Sequence, residues 1–96
     1  MPVDVVSPLK GLRVETNVTV GGSPTLLAKQ NGNRKSITFQ NQGGSTVFIG
    51  YANVAASGAN TGYALFTGTT FTDNASDGEW WGITSGSMLV HVIEVS

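Results

Sequence analysis

The chain has 96 residues and no cysteine, and its five Lys and Arg against six Asp and Glu give a net charge of −1. That length fits one domain with a modest core, and the missing cysteines exclude disulfide staples or a thiolate zinc site as reinforcement. A charge near zero leaves no electrostatic footprint for nucleic acid or an anionic membrane, and no run approaches the ~20 apolar residues that span a bilayer.

Thirteen glycines stand among twenty Ser and Thr residues, with little Leu, Glu or Lys to build helices. Such a composition reads as short strands joined by tight turns. Residues 1–11 carry Pro2 and Pro8, three valines (Val3, Val5, Val6) and no period, which predicts an extended N-terminal arm. No basic segment followed by an apolar run is present at the start, so synthesis in a cytoplasm is expected. The remainder, 12–96, reads as a single domain.

Over 12–20 the chain alternates, with Leu12, Val14, Thr16, Val18 and Val20 on one face and Arg13, Glu15, Asn17 and Thr19 on the other. Period two over nine residues predicts a half-buried strand. Gly21, Gly22, Ser23 and Pro24 end it, a short strand follows at 25–28, and a polar turn occupies 30–33. Arg34 and Lys35 then read as a solvated strand entrance. Ile37 and Phe39 point one way on the next strand, and Val47, Ile49 and Tyr51 share a face on the one after. A hairpin of these two strands needs an odd loop to keep Ile37, Phe39, Val47 and Ile49 together, with Gly44 supplying a positive φ.

Residues 53–62 are small and polar, a surface loop. Short strands at 63–66 and 70–72 flank a turn at 67–69, and a polar turn at 73–78 leads into the strand EWWGIT. Ser85-Gly86 reads as a two-residue hairpin into the last strand, 87–95. That hairpin pairs Ile83 with Met88 and Trp81 with Val90, and sets Trp80 opposite His91 on a face shared with Leu89 and Ile93. Both of its faces are then largely apolar, where a solvated sheet alternates. One face packs the core, and the other is expected to meet a second subunit, with an internal second sheet as the alternative cover.

Candidate chemistry is sparse. The one histidine, His91, sits mid-strand between two valines and reads as structural, with no triad to serve, so no enzyme is expected. Asp73, Asp77 and Gly78 imitate part of a calcium loop, but Ala75 and Thr84 stand where ligands are required, so a polar turn is expected and no metal or cofactor. Trp80, Trp81, Tyr63 and Phe66 could stack on a sugar, although adjacent strand residues face opposite ways and only one Trp can serve a platform.

The segment NRKSITFQNQGGSTVFIGYANV resembles a pattern in small structural proteins of tailed phages: an Asn-Arg-Lys strand running through a Gly-rich turn into Val-Phe-Ile-Gly. The C-terminal half is similar as well, with a Gly-Thr turn, the aromatic strand EWWGIT and a final strand ending Val-Ile-Glu-Val. The likeness spans roughly 26–95 as a pattern of strands and turns. It implies a virion protein, made in the host cytoplasm and displayed on the capsid surface as a decoration (cement) protein, often a homotrimer, with the major capsid protein as partner. Its alternative is a tail or head-fibre adaptor holding a host glycan. The fold expected is an all-β antiparallel sandwich or small barrel, jelly-roll-like, of seven to eight strands. The expected interface comprises Val3, Val5 and Val6 of the arm with Trp80, Leu89, His91 and Ile93.

Overall fold

The computed structural model describes residues 13–96, so the arm and its Val3, Val5 and Val6 lie outside the described residues. Eight strands appear among the described residues: β1 (Arg13–Val20), β2 (Thr25–Ala28), β3 (Ser36–Asn41), β4 (Val47–Gly50), β5 (Tyr63–Leu65), β6 (Thr70–Asp73), β7 (Trp80–Thr84) and β8 (Met88–Val95). No helix occurs among the described residues. The strands form two antiparallel sheets, the first ordered β1-β8-β3-β6 and the second β2-β7-β4-β5.

The pairing has a simple rule. β1 pairs with β8, β2 with β7, β3 with β6 and β4 with β5, all antiparallel. The chain is thus one long hairpin with its tip at the β4–β5 loop, wrapped into two facing layers that are completed by the β3–β8 and β4–β7 pairings. This is the jelly-roll arrangement of an eight-stranded sandwich. Only β4 and β5 are consecutive strands of one sheet; every other connection crosses between layers.

That rule overturns both expected hairpins. β3 and β4 do not pair, and Gly44 does not take a positive φ. The cause is Asn41, which is fully buried. Its Oδ1 accepts from the Gly43 N–H at 2.8 Å, while its Nδ2 donates to the carbonyls of Ser45 (2.7 Å) and Leu65 (2.9 Å). The side chain therefore turns the backbone out of the first sheet and fastens it to the second. Ile37, Phe39, Val47 and Ile49 are still buried together, as facing layers rather than as neighbours in one sheet.

The chain likewise crosses layers at Ser85-Gly86. Thr84, at the end of β7, donates its N–H to the Gly21 carbonyl (2.9 Å) and its hydroxyl to the Thr46 carbonyl (2.8 Å). Both bonds hold β7 in the second sheet while β8 inserts between β1 and β3. Two layers bury the inward rows of both strands against each other; a flat hairpin would leave its own inward row uncovered.

The core consists of Val20, Leu27, Ile37, Phe39, Val47, Ile49, Leu65, Val90 and Val92. Trp80 packs on it, its ring centroid 5.3 Å from that of Phe39 and 5.7 Å from that of Phe71. Tyr63 adds a fourth ring, 4.7 Å from Phe71. These rings close the side of the sandwich where edge strands β5 and β6 face each other. β1 departs from its expected half-burial: only Val20 is buried, and Val14 is 57% exposed.

Candidate protein-docking face

Alternation assigns an outward and an inward row to every strand, and the two sheets differ in what they turn outward. On the first sheet the outward rows pair Arg13 with Val95, Glu15 with Ile93, Asn17 with His91 and Thr19 with Leu89. Ser36, Thr38 and Gln40 of β3 and Thr70 and Thr72 of β6 complete that face. It is mixed and mostly polar, as a solvated sheet face is.

The second sheet breaks this pattern. None of its four strands, TLLA, VFIG, YAL and WWGIT, contains a charged residue. Across its outer surface Leu26 lies opposite Trp81 and Trp81 opposite Gly50, while Ile83 lies opposite Phe48 and Phe48 opposite Ala64. All six residues are half-buried, with no other element among the described residues lying above them. Phe66, just beyond β5, remains exposed. A contiguous apolar surface of this kind, bounded by polar loops, is a candidate interaction site.

Beyond Trp80, the inward row of β7 is small. At Gly82 a Cβ would lie 3.1 Å from Cδ1 of Leu27 on the neighbouring strand β2 and 3.5 Å from Val20 Cγ2 of the facing sheet, so a larger residue there would crowd Leu27. Thr84 fits because its hydroxyl has the Thr46 carbonyl as partner. The bulk of β7 lies on its outer face, as Trp81 and Ile83, and at the rim of the core, as Trp80.

The expected interface set is therefore divided. Leu89, His91 and Ile93 do share the outer face of the first sheet. Trp80 is not with them: it belongs to the other sheet and packs inward on Phe39, because β7 and β8 never pair. The side chains that form the apolar surface, Leu26, Phe48, Trp81 and Ile83, were absent from that set. The signal for Phe48 was available, since it stands between the inward-facing Val47 and Ile49. For Trp81 the signal was only that it opposes Trp80.

His91 is held across strands, its Nδ1 2.7 Å from Asn17 Oδ1 and its Nε2 3.0 Å from Glu15 Oε1. Glu15 also meets Arg13 at 3.1 Å. The Asp73 carboxylate is used by its own turn, where Oδ1 accepts the Ala75 N–H at 2.9 Å and Oδ2 accepts the Ser76 hydroxyl. The Ser76 bond, then the Ala75 bond and the charge of Arg34 hold this carboxyl below its ordinary value.

Arg34 is a correction to the solvated entrance. Its side chain is 0% exposed, with Nε 2.7 Å from Glu94 and the other two nitrogens donating to the carbonyls of Gly78 and Lys29, each at 2.7 Å. It ties the β2–β3 connection and the 73–79 turn to β8. Beside that turn a cleft of about 460 Å³ opens between Tyr51 and residues 76–80. No family model, curated protein or solved structure matches the chain.

Proposed function

We propose that this chain is a non-catalytic assembly module, a virion structural protein that docks on the major capsid protein of a tailed phage as a capsid decoration protein. The observation that carries the reading is the uncharged second sheet with Leu26, Phe48, Ala64, Trp81 and Ile83 on its outer surface. Covering such a surface contributes on the order of 25 cal/mol per Å² of apolar area removed from water.

Its size favours a lattice over a lone partner. Four strands spaced ~4.8 Å apart span only about 14 Å, and a stable two-body interface needs about 800 Å² from each side. One face is too small for that. Many copies on a repeating shell act in parallel, and a homotrimer presenting three such faces gains by effective concentration. Binding only to the assembled shell then stabilises it by mass action. The phage-specific part of the reading rests on the sequence resemblance, and the jelly-roll fold, used by capsid and lectin domains alike, is compatible with it by analogy.

The test is to band DNA-filled particles released from a culture whose phage carries this gene and to quantify the chain by mass spectrometry. A fixed stoichiometry with the major capsid protein is expected. Absence from the purified particles contradicts the proposal.

A further inference from the structure

The cleft beside Tyr51 adjoins the apolar surface, and its chemistry names part of the partner. Gly50 lies on its rim and on the outer surface opposite Trp81, and Glu79 on its other side accepts the Trp81 indole N–H at 3.2 Å. Trp80 lies at the rim of the core, packed on Phe39, while Tyr51 opposite is 82% exposed. An aromatic ring left in water beside a cavity is a surface awaiting a stacking partner.

The cleft is lined by two carboxylates, the Tyr51 and Ser76 hydroxyls and the Trp80 indole. Asp77 and Glu79 bring carboxylates, and the Ser76 hydroxyl already donates to Asp73. The adjacent cation, Arg34, is buried and committed to Glu94 and two carbonyls. Two carboxylates with no cation among the lining residues favour a ligand that is positively charged and donates hydrogen bonds. Two carboxylates do not complete a calcium shell. A guanidinium fits every term: it carries five N–H donors in a plane, stacks on aromatic faces and pairs with carboxylates.

Resting on the docking reading above, we propose that this cleft seats an arginine side chain of the partner protein, between Tyr51 and Trp80 and against Asp77 and Glu79. The arginine anchors one end of the interface, and the apolar surface supplies the adjoining contact. Such an anchor fixes register, which an apolar surface alone does not.

The experiment is a titration of the isotope-labelled chain with N-acetyl-L-arginine amide, followed by the backbone amides of Gly50, Gly78 and Glu79. Saturable shifts with half-saturation near ~10 mM are expected, as befits one stacked and paired side chain without the rest of an interface. Tyr51→Ala and Glu79→Gln, both at exposed positions, should each weaken binding at least about five-fold while leaving the rest of the spectrum in place. The citrulline analogue, equal in shape and uncharged, should give no saturable shift. No response to the arginine probe, an equal response to citrulline, or saturable shifts with methyl glucoside in its place would overturn the proposal. The titration uses the chain alone and the particle assay uses the shell, so each reading can fail separately.

Discussion

Asn41 is a polar residue with no solvent exposure, held by three backbone groups from two separate segments. Removing its amide strands those groups inside the protein, and each buried polar group left without a partner costs ~1–3 kcal/mol. Asn41→Ala should therefore destabilise the fold by about 3 kcal/mol, read as a lower urea midpoint. A loss under ~0.5 kcal/mol would mean that the layer crossing does not depend on it. The sequence marks Asn41 only as a polar residue ending an alternating strand, which is the ordinary sign of a turn. Its burial follows from Leu65, whose partnership needs the fold. Arg34 was illegible for the same reason, since its partners Glu94 and Gly78 lie 60 and 44 residues away. With Trp80 and Trp81, alternation says that the two face opposite ways, and only the packing of Trp80 on Phe39 and Phe71 says which one turns inward.

The strands themselves were legible, because each is a short alternating or apolar run between glycines, prolines and polar turns. All eight stand within a residue or two of where the pattern places them. Their partners were not legible, because a Gly-rich turn reverses the chain equally well into the same sheet or the facing one. The tip of the long hairpin, where β4 does pair with its successor, depends on a close approach. A Cβ at Gly62 would lie 2.5 Å from Val54 Cγ2 and 2.9 Å from the Ile49 carbonyl carbon. Gly62→Ala should cost about 1–3 kcal/mol by forcing the 51–62 loop off β4. Gly44→Ala is the control: nothing lies within 4 Å of the added methyl and its φ is not positive, so its melting temperature should stay near that of the unaltered chain. Equal melting temperatures for both variants would refute the close-packed tip.

At the scale of the whole molecule, the two sheets make a sandwich with unlike outer surfaces. The first turns Thr, Gln, Asn, Glu and His toward water; the second turns out Leu26, Phe48, Ala64, Trp81 and Ile83. The expected apolar face rested on a hairpin of β7 with β8, which the sheets do not contain, so the surface carrying Trp81 and Ile83 was not legible in the sequence. Leu89 and Ile93 of the expected interface sit instead within a mostly polar face. The most direct test of the docking surface is co-sedimentation of the purified protein with shells stripped of it, comparing the unaltered chain with a Phe48→Ser, Trp81→Ser double variant. Circular dichroism would first establish that the variant keeps its β spectrum. The variant should lose shell binding by about 100-fold or more, the effect of removing two aromatic anchors from an interface. A folded variant that pellets with the shells as well as the unaltered chain does would contradict the account.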